Sequence, residues 1–121
     1  MSEQKKETPS YRIKHIGIRT DSPEEARQLA VILAALLDLG EVNETPIACW
    51  AGSLFEVMNS DARGQRGHVA LQTEDVEAAM AHMQAKGVEF DEKSIRRDET
   101  GRICFVYLKL ELAGFQFHLT T

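Results

Sequence analysis

Three histidines and one glutamate stand at positions that repeat within the chain. His15 opens His15-Ile16-Gly17-Ile18-Arg19-Thr20, and His68 opens His68-Val69-Ala70-Leu71-Gln72-Thr73. Each stretch ends in Thr and runs into an acidic helix start. Later, Gly52-Ser53-Leu54-Phe55-Glu56-Val57-Met58 is echoed by Gly114-Phe115-Gln116-Phe117-His118-Leu119-Thr120, which sets Glu56 against His118. Imidazole nitrogens and carboxylate oxygens bind borderline divalent ions, so the repeat names a candidate metal set: His15, Glu56, His68 and His118. Zn, Ni, Co, Fe and Mn all accept such donors. With one anionic ligand the ion keeps a net positive charge and can polarise a carbonyl or acidify a bound water. Bidentate oxygen donors such as 2-keto acids, 2-hydroxy acids or enediols suit the open coordination positions.

The elements that must position these residues can be read along the chain. Residues 1–10 are polar and form an expected loose tail, leaving 11–121 as one domain. Tyr11 to Thr20 alternates as a strand. Ser22-Pro23-Glu24-Glu25 then predicts a capped helix, with Ala26, Leu29, Ala30, Leu33, Leu36 and Leu37 as its apolar stripe and Gly40 as its stop. Short strands follow around Glu41 to Thr45, Ile47 to Ala51 and Leu54 to Asn59. Residues 60–67 carry two Gly and two Arg and predict a linker between halves. In the second half, His68 to Thr73 predicts a strand and Asp75 a helix cap. Val76, Ala79, Met80 and Met83 line one helix face, and Lys86-Gly87 ends it. Val88 to Ile95, Ile103 to Leu110 and Phe115 to Thr120 are strands. Module one (11–59) and module two (68–121) thus share the order strand, helix, strand, strand, strand.

Side chains alternate along a strand, and parity decides which residues share a face. Ile16 and Ile18 oppose His15, Gly17 and Arg19; Val69 and Leu71 oppose His68, Ala70 and Gln72. Phe55 and Val57 oppose Glu56, and Phe115, Phe117 and Leu119 oppose His118. The bulky apolar set takes one face and the candidate ligands the other. A single His or Glu in a one-sided sheet is ordinarily a solvated residue. Three of the chain's four histidines on repeat-related positions favour a site, and His82 is read as surface. On the ligand face, Arg19 and Lys109 can hold a carboxylate or phosphate, and Tyr107 can donate a hydrogen bond. Trp50 either lines that face or enters the core.

Composition limits the alternatives. A length of 121 residues suits one domain, and the net charge of −5 argues against nucleic acid as a partner. Arg96-Arg97 is read as part of a solvated loop. Cys49 and Cys104 form no CxxC pair and are expected as free thiols, and Leu29 to Leu37 is too short to cross a bilayer. With no signal peptide in Met1 to Ser10, the expectation is a cytoplasmic protein with no membrane partner. Phosphate loops, GxSxG, HExxH and zinc-finger spacings are lacking in the sequence.

The segments Lys14-His15-Ile16-Gly17-Ile18, Leu54-Phe55-Glu56-Val57-Met58, Gly67-His68-Val69-Ala70-Leu71 and Gly114-Phe115-Gln116-Phe117-His118-Leu119 resemble the vicinal-oxygen-chelate superfamily, the glyoxalase/bleomycin-resistance/dioxygenase fold. The resemblance runs from about Tyr11 to Thr121. It implies an α+β fold in which two βαβββ modules form a cupped eight-stranded mixed sheet with helices on the outer face. It also implies a divalent metal on His15, Glu56, His68 and His118, and a homodimer whose sites lie within one chain or between two. Where glyoxalase I and its relatives usually end the ligand set with Glu, this chain has His118, which speaks against standard glyoxalase I chemistry.

Phe90-Asp91-Glu92, Tyr107-Leu108-Lys109 and Gly114-Phe115 with His118-Leu119 further resemble a small domain accompanying some bacterial 2-dehydro-3-deoxy-phosphogluconate aldolases. That implies sugar-acid metabolism and an aldolase as a partner. The resulting expectation is a metal-dependent isomerase, epimerase or lyase on a small keto or hydroxy acid. The alternative is a non-catalytic small-molecule-binding or aldolase-associated module. A metal-free antibiotic-binding protein would not need the ligand set.

Overall fold

The computed structural model describes residues 8–59 and 63–121. Residues 1–7 of the expected tail and 60–62 of the expected linker lie outside the described residues. The elements are β1 (Arg12–Arg19), α1 (Pro23–Leu37), β2 (Val42–Glu44), β3 (Ala48–Ala51), β4 (Phe55–Met58), β5 (Gly67–Gln72), α2 (Val76–Gln84), β6 (Phe90–Arg97), β7 (Ile103–Leu112) and β8 (Phe115–Thr120). Two βαβββ modules follow one another, as the repeat implies.

All eight strands join one mixed sheet in the order β2-β3-β4-β1-β5-β8-β7-β6. The modules meet where β1 and β5 pair antiparallel, and each first strand also pairs in parallel with its module's last strand, β1 with β4 and β5 with β8. The four candidate ligands therefore fall on the four central strands. The repeated Thr residues close each module in the same way. Thr20 and Thr73 are both buried, and their amides donate to Met58 and Thr120 respectively.

Local chemistry fixes the helices. Ser22 Oγ accepts from the Glu25 amide at 3.1 Å, while Glu25 Oε1 reaches back to the Asp21 amide at 2.9 Å, a variant of the capping box. Asp75 Oδ1 accepts from the Ala78 amide at 3.1 Å in the second helix. Asp38, left-handed at φ 53°, rather than Gly40, ends α1. Gly87 takes φ 94° just beyond α2, as a helix terminus favours.

Two core clusters lie between the helices and the outer face of the sheet. Ala26, Ala30 and Ala34 pack on Cys49, Ala51 and Val57; Val76, Ala79 and Met80 pack on Phe90, Val106, Leu108 and Leu119. The small alanine side chains bring α1 close to the sheet. Leu36 and Leu37, expected in the stripe, are instead 73% and 51% exposed. Residues 29–37 are apolar all round, so periodicity there does not select the face; Ala34 takes the inner position. The cysteines are free, Cys49 buried and Cys104 partly so. Among the described residues, no helix is long and apolar enough to cross a membrane.

Candidate metal centre

Strand register places the candidate ligands in two adjacent rows on the inner face. One row runs Trp50, Glu56, Gly17, His68, Gln116 across β3, β4, β1, β5 and β8. The other runs His15, Ala70, His118, Tyr107 across β1, β5, β8 and β7. Residues directly opposite on neighbouring strands share a face. Each row therefore carries two candidate ligands with one small residue between them, Gly17 in the first and Ala70 in the second. Their small size leaves room for the rings to lean together. A β-carbon at Gly17 would lie 2.1 Å from His68 Cε1, so only glycine accommodates that imidazole.

The three histidines converge, and Glu56 adjoins two of them, His15 and His68, without joining the group that includes His118. One ring nitrogen each from His15, His68 and His118 lies within 4.8 Å of the others. His68 Nε2 is 3.3 Å from His15 Nε2, and Glu56 Oε1 is 3.2 Å from His68 Nε2 and 3.5 Å from His15 Nε2. His118 and His68 are buried, and His15 is largely covered by Trp50, whose ring stands edge-on with centroids 5.0 Å apart.

Burial favours the neutral form of His15 and His118, the form that binds metals. Burial, then the neighbouring His68 and His15, pull His118 down to about 3, with Arg96 adding a smaller depression. Burial also lowers His15, against the opposing pull of Glu56. His118 Nδ1 is buried without a well-formed hydrogen bond. Three clustered imidazoles, an adjacent carboxylate and an unsatisfied buried ring nitrogen fit a divalent ion of the Zn, Ni, Co, Fe or Mn kind.

Above this cluster the cup opens into a cavity of about 500 Å³ lined by Lys14, Trp50, Arg63, Arg96, Phe105 and Tyr107, among others. Tyr107 lies 4.9 Å from the His118 ring, centroid to centroid, as parity implies. Burial raises its phenol above the ordinary tyrosine value, so it remains a proton donor near neutral pH. Lys109 and Arg19 do not line the cavity. The β7–β8 register shifts between Tyr107 and Glu111, which breaks the alternation that would have carried Lys109 inward. Its ammonium lies 3.9 Å from Glu89 instead. Arg19 ends β1 and donates toward the Gly64 carbonyl at 3.5 Å.

Lys14 enters the lining because β1 carries an irregularity between Ile13 and His15. Arg63 comes from the segment read as linker, and Arg96 from the stretch read as a solvated loop. Neither carries a periodic signal, since Arg63 precedes β5 and the β6–β7 register shifts around Arg96.

Several solved structures share this architecture. A hypothetical protein from Bacillus halodurans C-125 superposes with a TM-score of 0.58 at 16% identity, covering 92% of this chain and 94% of that one. A Streptomyces coelicolor methylmalonyl-CoA epimerase variant in complex with 2-nitronate-propionyl-CoA gives 0.55 at 19% identity, covering 91% and 96%. Methylmalonyl-CoA epimerase from Mycobacterium tuberculosis gives 0.51 at 16% identity, covering 89% and 85%. At such identities the likeness is one of fold. No curated protein matches the sequence. Residues 8–117 do match the Glyoxalase/Bleomycin resistance protein/Dioxygenase superfamily, and with the sheet, the repeat and the histidine cluster in agreement, the chain belongs to that family.

Proposed function

We propose that the chain is a metal-dependent isomerase, epimerase or lyase acting on a small keto or hydroxy acid, with His15, Glu56, His68 and His118 holding the ion. The observation that carries this reading is the convergence of three imidazole nitrogens within 4.8 Å at the floor of an open cavity. A bound divalent ion would polarise the substrate's oxygens and so acidify the adjacent C–H. Trp50 shields one side of the cluster from water. Tyr107 donates a hydrogen bond to a substrate oxygen. Glu56 is the only carboxylate among the described cavity-lining residues, so its carboxylate oxygen not given to the ion would accept the proton from carbon and return it to the same or the neighbouring carbon. The methylmalonyl-CoA epimerases among the structural neighbours support an epimerase or isomerase role.

The setting we infer is a cytoplasmic homodimer in sugar-acid metabolism, with an aldolase-associated accessory module as the alternative. Metal-loaded protein incubated in deuterium oxide with a panel of 2-keto and 2-hydroxy acids tests the reading. Proton NMR should show loss of the C–H signal next to the carbonyl or hydroxyl carbon for at least one acid, and Glu56→Gln should abolish it. A protein that binds metal yet exchanges no acid would exclude the enzyme and leave the accessory module.

A further inference from the structure

Two guanidiniums reach the candidate centre through aromatic rings that contact His118. The Arg96 guanidinium carbon lies 4.6 Å from the Phe105 ring centroid, and Phe105 lies 4.5 Å from the His118 ring. The Arg63 guanidinium carbon lies 4.1 Å from the Tyr107 centroid, and Tyr107 lies 4.9 Å from the same His118. Both cations line the cavity, with Lys14 as a third.

Their electrostatic situations differ. Arg63 forms an ion pair with Asp91 and donates from Nε to Gln116 Oε1 at 2.6 Å, so its charge is compensated and its position fixed. Lys14 donates to the Thr121 carbonyl oxygen at 2.9 Å. The Arg96 guanidinium forms no ion pair and no hydrogen bond among the described residues. It sits over the Phe105 ring, a contact that engages none of its N–H groups in a hydrogen bond among the described residues. In a chain of net charge −5, a cavity lined among the described residues by three cations and one carboxylate is a local reversal of sign.

The geometry points to Arg96 as the specificity residue for a second anionic group on the substrate. On the proposed function above, on which this inference rests, one end of the substrate presents oxygens to the ion. Arg96 would take a carboxylate or phosphate-type group at the other end in a bidentate contact. The substrate class is then a short dianionic acid rather than a simple monoacid. The Phe105 ring sets the span: two steps, each shorter than 5 Å, separate the His118 ring from the guanidinium.

The test compares tails of equal length by calorimetric titration of metal-loaded protein. The probes are 2-oxoglutarate, 2-oxo-4-phosphonobutanoate and the uncharged-tail 2-oxopentanoate. At least one dianion should bind about tenfold more tightly than 2-oxopentanoate, and its identity distinguishes a carboxylate from a phosphate-type tail. Arg96→Gln should reduce that preference to less than twofold while leaving 2-oxopentanoate unchanged, since the substitution lies on an exposed strand position. Arg96→Lys should recover only part of the preference, because it keeps the charge and loses the fork. Equal binding of dianions and monoanion by the unsubstituted protein, or a preference that survives in Arg96→Gln, would overturn the assignment. If the protein takes up no metal, the metal reading fails by itself. The same comparison on metal-free protein then decides the role of Arg96.

Discussion

Gly17 and His68 face each other across the antiparallel pair that joins the two modules, and the imidazole occupies the space a side chain at Gly17 would fill. That contact is a reason for glycine at the sheet's centre, where it otherwise weakens a strand. Gly17→Ala should rotate or push back the His68 ring and lower metal affinity at least about tenfold, equivalent to roughly 1.4 kcal/mol. Competition with a chelator measures this. Unchanged affinity would show that His68 is not held against Gly17 in solution.

Ala70 plays the matching part in the second row, opposite both His15 and His118 and fully buried. Ala70→Leu adds side-chain volume where the rings approach. It should cost about 1–3 kcal/mol of stability by overpacking and prevent stoichiometric metal uptake. Thermal melts and metal content together check the prediction. Normal uptake in a folded variant would contradict the row geometry.

The histidine environment predicts an acid response of the metal-free protein. His118 is held near 3 when folded and returns to about 6.5 when unfolded. A depressed folded value means that the unfolded chain binds the proton first. Stability is therefore complete above about pH 6.5 and falls progressively as pH drops toward 3, and His15 shifts in the same direction. Between pH 7 and 5 the loss from His118 should be up to about 2 kcal/mol, read as a falling midpoint in urea. Bound metal should reduce the loss, and His118→Gln should flatten it. A midpoint independent of pH over that interval would show that the rings are not buried neutral.

Tyr107 is argued to bind through its hydroxyl. For the acid that shows C–H exchange, Tyr107→Phe should reduce kcat/KM about fivefold to tenfold, corresponding to one hydrogen bond of about 1–1.5 kcal/mol, with the metal content unchanged. A loss of metal in this variant would indicate that Tyr107 supports the His118 ring instead.

Much of the fold was legible because the signals agreed at several levels. Ser22 and Asp75 announce helix starts, and the repeated His-to-Thr stretches align β1 with β5. Parity carried the ligand face because β4, β5 and β8 run without interruption across the relevant pairs. It failed at Lys14, where β1 carries one extra residue, and at Lys109, which falls within two extra residues of β7, since such irregularities leave no compositional mark. The inner face of α1 was obscured by a run that is apolar all round, in which close packing selects Ala34 over the larger leucines. Arg63 and Arg96 escaped notice because their arrival at the cavity depends on how outer segments fold over it, which hydrophobic periodicity does not encode.

The central claim is a divalent ion held by His15, Glu56, His68 and His118. The most direct measurement is elemental analysis of untagged protein purified without added metal, beside a His15→Ala/His68→Ala double variant whose fold is checked by circular dichroism. About one divalent ion per chain in the unsubstituted protein, lost from a folded double variant, is the predicted result. No stoichiometric metal, even after Zn, Ni, Co, Mn and Fe are offered under reducing conditions, would contradict the account.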